Sequence, residues 1–151
     1  MILLLQRVSR AEVRVDGSAV ARIGRGLLAF ACVEPGDGPE AMDEAARKTV
    51  DLRVFEDAGG KMNLDVTQAG GGVLAVSQFT LGADLSRGRR PGFEGAARPE
   101  EARPLFGRYV AVLRASGIPV ATGSFGAAME VELVNDGPAT FQWRTKRRLF
   151  P

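Results

Sequence analysis

The sequence contains no histidine and only one cysteine, Cys32. Imidazole is the usual general base near neutral pH, so its absence removes every Ser-His-Asp or Cys-His arrangement and nearly every catalytic zinc site. A lone cysteine cannot close an internal disulfide. Cys32 also sits inside the apolar run Leu27 to Val33, where a thiol serves as a small core side chain. No apolar run approaches the roughly 20 residues that a membrane helix needs. The apolar opening Met1-Ile2-Leu3-Leu4-Leu5 is cut by Gln6 and Arg7, and it has neither a basic start nor a small-residue cleavage site, so it reads as a first strand rather than a leader. Gly70-Gly71-Gly72 is not followed by Lys-Ser or Lys-Thr, which points to a bend or close backbone packing rather than a phosphate loop. These absences lead us to expect no metal, no cofactor, no membrane partner and a reducing, cytoplasmic location.

What is present suits one domain. A chain of 151 residues can bury roughly two thirds of its unfolded surface. Hydrophobic residues make up 45% and charged residues 25%, an ordinary globular balance that needs no staple. The net charge of +2 permits contact with an anionic polymer without requiring it.

Residues 2 to 15 alternate loosely through Leu3, Leu5, Val8, Val13 and Val15, which predicts a long or bent strand. Asp16-Gly17 makes a turn, Ala19 to Ile23 a second strand, and Leu27 to Val33 a buried third, so an antiparallel meander is expected. From Glu40 the spacing becomes helical, with Met42, Ala45, Ala46, Thr49, Val50 and Leu52 on one side. Arg53 to Glu56 reads as a short strand and Gly72 to Val76 as a buried one. Pro99 opens a second helix through Leu105, Phe106, Tyr109, Val110 and Leu113, with Pro104 inside it and Gly117 past its end. Val120 to Thr122, Glu130 to Val134 and Ala139 to Trp143 read as late strands, the last two joined by a hairpin or tight turn at Asn135-Asp136-Gly137-Pro138. Two helices among about seven strands, without repeating strand-helix alternation, predict an α+β fold with a largely antiparallel sheet or barrel.

Two basic stretches admit two readings each. Arg87, Arg89 and Arg90 lie in a loop with Gly88 and Pro91, either a solvated surface or an arm that contacts phosphates through forked guanidinium donors. Residues 144 to 151, beginning Arg144-Thr145-Lys146-Arg147-Arg148, form a basic tail that is either solvated or adds salt-dependent affinity for RNA.

Ser77-Gln78-Phe79-Thr80-Leu81 leaves a buried strand carrying uncharged polar groups, a common place to grip a substrate. Together with Asn135-Asp136-Gly137-Pro138-Ala139-Thr140 it resembles the paired signatures of the D-aminoacyl-tRNA deacylases. Supporting similarity runs through Gln6-Arg7-Val8, Leu52 to Asp57, Lys61-Met62-Asn63, Gly88 to Pro91 and Phe125 to Met129, and a deacylase-like domain over residues 1 to 143 is expected.

The resemblance implies a homodimeric hydrolase of the ester between a D-amino acid, or glycine, and the terminal adenosine of tRNA. Aminoacyl-tRNA is the implied partner. Catalytic positions would be Ser77, Gln78, Phe79 and Thr80, with backbone N–H groups near Phe79 and Thr80 forming an oxyanion hole. Substrate-binding positions would be Arg7, Phe125, Met129, Asn135, Gly137 and Pro138. In the family, the Gly-Pro pair enters the other subunit's pocket in a cis conformation and excludes L side chains with rigid main chain. The ribose 2′-hydroxyl would activate water. No base stands near Thr80 in the sequence, so a positioning role is expected there rather than a nucleophilic one. Gly82 and Gly92 replace larger or hydroxyl residues expected from the family. The alternatives are a related deacylase acting on mischarged L-aminoacyl-tRNA, and a noncatalytic RNA-binding module.

Overall fold

The computed structural model describes residues 1 to 145, and strand β1 (Ile2–Val15) is the axis of its sheet. With 14 residues, β1 is long enough to carry two partners end to end on one edge. Its second half pairs antiparallel with β2 (Ser18–Ile23), and its first half with β3 (Gly26–Cys32). The expected meander is therefore corrected: β2 and β3 do not pair with each other but divide one edge of β1. The opposite edge is taken by β8 (Glu130–Arg144), antiparallel from Ile2↔Arg144 to Arg14↔Glu130. β8 is one strand, not the two strands and hairpin expected. Both of its halves find partners on β1, and Pro138, which has no N–H to give to a ladder, falls where the pairing is broken.

The other half of the sheet is parallel. β6 (Gly72–Ser77) runs alongside β3, and β7 (Val120–Thr122) alongside β6. Parallel neighbours need a long crossover. Helix α1 (Pro39–Asp51) provides the first, together with the small hairpin of β4 (Phe55–Glu56) and β5 (Met62–Leu64), and α2 (Pro99–Ala115) provides the second. This strand-helix alternation was hidden in the sequence by the loops between elements. β2 returns towards β6 and β7, so the sheet is nearly closed, and the result is a single α+β domain with two main helices and a mostly antiparallel sheet.

Burial on both faces explains the continuous apolar runs of β3 and β6. Leu27, Ala29, Val73 and Ala75 pack beneath the helices with Met42, Phe106 and Tyr109. Leu28, Leu74 and Val76 point the other way, to Val8, Ala11 and Val13 of β1 and to Val131 and Leu133 of β8. Gly26 and Gly72 meet where β3 and β6 begin; a Cβ on Gly26 would lie 1.9 Å from the Gly72 carbonyl oxygen, so no larger residue fits. α1 and α2 are joined by a buried hydrogen bond of 2.9 Å between Thr49 and Tyr109, and by Arg108 on both Asp43 oxygens. α2 starts at Pro99 and continues through the exposed Pro104.

The N-terminus and the end of β8 meet at Glu34. Its carboxylate accepts from the N-terminal ammonium at 3.1 Å and from Arg144, while Thr145 N–H bonds the Met1 carbonyl at 3.0 Å. Arg144 and Thr145 are thus part of the fold, and the remainder of the basic tail lies outside the described residues. Burial pushes the Glu34 pKa up, but the bonds from Arg144 and the ammonium outweigh it and hold the group below the usual carboxylate value. A depressed folded pKa stabilises above the unfolded pKa, and that stability is lost as pH falls through the folded one. Glu34→Gln is expected to cost about 1–3 kcal/mol near pH 7. In urea titrations across pH, the gap from wild type should close progressively below the ordinary glutamate range; a gap that stays constant would show that the charge is not what counts.

Candidate active site

Strand β6 ends at Ser77, and the Gln78 N–H still bonds the Ala31 carbonyl of β3 at 2.8 Å. The chain then tightens into a single 3-10 turn, Phe79–Gly82, closed by Leu81 N–H on the Gln78 carbonyl at 3.3 Å. The N–H groups of Phe79 and Thr80 open this turn, where no earlier carbonyl of the turn can accept them. Two contacts brace it: the Cys32 thiol donates to the Phe79 carbonyl at 3.5 Å, and the Gln78 amide donates to the Thr80 hydroxyl. Among the described residues no carboxylate or amine bonds Thr80. Burial raises the Cys32 thiol above its ordinary pKa, which keeps it protonated and rules against a thiolate nucleophile.

A cleft of about 720 Å3 opens at this strand exit. Ser77, Gln78 and Phe79 line it together with Phe125 and Met129, residues distant in sequence that the fold brings to one place. Thr80 adjoins the cleft without lining it. Phe79 is 55% exposed and its ring meets Phe93 edge-on at 5.1 Å. Phe125 is half-buried, with its ring 6.0 Å from that of Phe106 and the Arg103 guanidinium 4.6 Å from its centroid. Arg103, Arg98, Phe93 and Cys32 also line the cleft, and sequence reasoning did not assign them to it. Arg98 stands just before α2 and Arg103 at an exposed position in its second turn, and no spacing rule links Arg103 to Phe125.

The remaining expected positions form a second unit. Between the pairs Gln6↔Thr140 and Val8↔Asn135, residues Asp136 to Ala139 bulge from β8 opposite Arg7. Arg7 is 4% exposed. Its Nε donates to the Asp136 carbonyl at 2.8 Å and its Nη1 to the Val54 carbonyl at 2.6 Å, while the carboxylates of Asp136 and Glu56 lie at 3.4 and 3.9 Å. The commoner fate of an arginine, a charge facing water, is thereby excluded. Asn135 bridges the foot of the bulge: its Oδ1 accepts Ala139 N–H at 2.7 Å, and its amide donates to the Thr140 hydroxyl at 3.0 Å, which Gln6 also reaches at 3.1 Å. Gly137 and Pro138 are exposed and joined by a cis peptide. None of Arg7, Asn135, Gly137 and Pro138 lines the cleft of the same chain.

Residues 4 to 144 match the model of the D-Tyr-tRNA(Tyr) deacylase family. The chain is 55% identical over 141 residues to a D-aminoacyl-tRNA deacylase of Shewanella sp. (strain MR-4), a match covering 93% of this chain and 97% of that one. It is 52% identical over 145 residues to a D-aminoacyl-tRNA deacylase of Geobacter sulfurreducens, covering 96% and 95%. A solved structure, the c-Myc DNA Unwinding Element Binding Protein, superposes with a TM-score of 0.91 at 34% identity over 97% of this chain and 99% of that one.

The bond from Ala139 N–H to Asn135 closes the foot of the bulge, so its loss should be visible locally. In Asn135→Ala, amide hydrogen exchange at Ala139 is expected to accelerate at least tenfold while amides in the centre of β6 keep their protection. Unchanged exchange at Ala139 would mean that the bulge is held by other contacts.

Proposed function

The chain belongs to the D-Tyr-tRNA(Tyr) deacylase family, and from that footing we infer that it hydrolyses the ester of D-aminoacyl-tRNA, releasing the free D-amino acid and tRNA. Glycyl-tRNA falls within the same reading, since glycine has no side chain for a chiral filter to reject. Water attacks the ester carbonyl, the negative charge of the tetrahedral intermediate falls on the former carbonyl oxygen, and the ribose 3′-oxygen leaves with a proton. The N–H groups of Phe79 and Thr80 receive the oxyanion, each such donor being worth about 2.7–4 kcal/mol. Gln78 holds that turn in place through the Thr80 hydroxyl, and Ser77 lines the cleft beside it. Phe125 and Met129 pack on the terminal adenine, and the 2′-hydroxyl of the terminal ribose activates the water, so the RNA supplies part of the chemistry that imidazole provides elsewhere.

The chain acts as a homodimer on this reading. The observation that carries it is the Gly137-Pro138 bulge, which Arg7 and Asn135 brace although nothing in its own cleft uses it. Placed in the cleft of the partner subunit, its carbonyls hold the substrate α-amino group and leave room for a hydrogen, but not a side chain, on the L side. The cytoplasm, where aminoacyl-tRNA is made and used, is the proposed compartment. No helix among the described residues is long and apolar enough to cross a membrane.

Incubation with a D-aminoacyl-tRNA and its L counterpart should show hydrolysis of the D ester only, and sedimentation should give twice the chain mass. Preference for the L ester, or salt-sensitive tRNA binding without hydrolysis, would reject the assignment. Thr80→Ala is expected to keep activity within about tenfold, because the donor is its backbone N–H. A loss beyond about a thousandfold in a folded, tRNA-binding variant would make the hydroxyl the reacting group.

A further inference from the structure

Every charged side chain in the loop between Asp84 and Gly92 is an arginine: Arg87, Arg89 and Arg90, all exposed. The loop has a built base. Asp84 and Gly92 exchange both backbone hydrogen bonds, at 2.8 and 2.9 Å, and Ser86 N–H bonds the Asp84 carboxylate at 2.9 Å. Just outside this neck, Gly82 and Gly95 touch backbone to backbone. A Cβ on Gly82 would stand 2.7 Å from the Gly95 oxygen, and one on Gly95 2.3 Å from the Gly82 oxygen. The glycine at position 82 thus lets the loop base press against the turn that begins at Phe79, and the Phe93–Phe79 ring contact reinforces the seat.

A groove of about 690 Å3 leads away from the cleft. It shares Phe93, Ala96, Ala97 and Arg98 with the cleft and is also lined by Pro91 and Gly92, at the foot of the arginine loop. Among the described residues, none of Arg87, Arg89, Arg90, Arg98 and Arg103 enters an ion pair, unlike Arg7, Arg10, Arg14, Arg108 and Arg144. The groove itself is lined by one arginine, Arg98, and by Glu94 and Glu101, so the net positive charge lies in the adjoining loop rather than in the groove wall. Unpaired guanidinium groups beside a groove that opens from a site for the 3′ end of RNA suit phosphodiester oxygens, which accept forked donors at regular spacing.

We propose that the Arg87, Arg89 and Arg90 loop is a contact surface for the phosphodiester backbone of the tRNA acceptor strand as it leaves the cleft. This rests on the ester-hydrolase reading for the placement of the 3′ end, but the contact itself does not need turnover. The test uses the full chain with Arg87, Arg89 and Arg90 all changed to glutamine, and two substrates, a D-aminoacyl-tRNA and the D-aminoacyl ester of adenosine alone. The expected result is a fall of tenfold or more in kcat/KM for the tRNA ester, chiefly through KM, with the adenosine ester unaffected. Binding of uncharged tRNA should weaken in parallel, and its log–log salt dependence should become shallower by about two to three. Equal losses on both esters would place the loop in shaping the cleft, no loss on either would leave it a solvated surface, and dissociation of the variant in sedimentation would make it a subunit contact. Each of these overturns the proposal. A wild-type chain inactive on both esters would reject the hydrolase reading alone, since the binding arm still reports on the loop.

Discussion

Arg7 is a buried cation held by backbone carbonyls from two different segments, and the candidate site depends on that grip. One prong reaches Val54, before the small β4–β5 hairpin, and the other reaches Asp136 in the bulge of β8. A guanidinium taken out of water is costly unless its donors are satisfied and its charge balanced. Here carbonyls accept from it and the carboxylates of Asp136 and Glu56 lie nearby, so the burial is sustainable and the bulge has one preferred position. The exposed Gly137-Pro138 pair is therefore presented by a rigid base rather than by a free loop.

The second organising constraint is the absence of imidazole. Without histidine, with Cys32 buried and its thiol pushed up in pKa, and with Thr80 bonded only to an amide among the described residues, the side chains at the cleft offer no strong base. The groups that remain there are backbone N–H donors at the start of the 3-10 turn, the rings of Phe79 and Phe125, the Met129 thioether and the guanidinium groups of Arg98 and Arg103. It is this set, without a strong side-chain base, from which the proposed ester hydrolysis has to be built.

Much of the fold was legible because its signals are local. The helical spacing from Met42 to Leu52, the proline that opens α2, the apolar runs of β3 and β6, and the loose alternation of β1 each follow from burial on one or two faces of a single element. The misreadings concern which elements meet. The pairing of β2 and β3 with the same edge of β1, the parallel run of β3, β6 and β7, and the union of two late strands into β8 depend on contacts between distant segments, which no window of sequence contains. The turn-forming run Asn135-Asp136-Gly137-Pro138 invited the hairpin reading for a sound reason, but a long partner strand allowed the chain to bulge and resume its ladder.

For the site, motif resemblance pointed to Ser77 through Thr80, Arg7, Phe125, Met129, Asn135 and the Gly137-Pro138 pair, while composition alone established that imidazole and disulfide chemistry were excluded. Tertiary structure decided that these residues separate into two units, a cleft with Phe125 and Met129 on its wall and a braced bulge that lies outside it. It also turned Gly82 from an unexplained departure into a close backbone contact with Gly95, and seated the arginine loop beside a groove leading from the cleft. The division has a physical cause: residue type and local period determine what a segment can bury or donate, whereas the partners of Arg7, Gly82 and Arg103 are set by how β1, β8 and α2 pack across the whole chain.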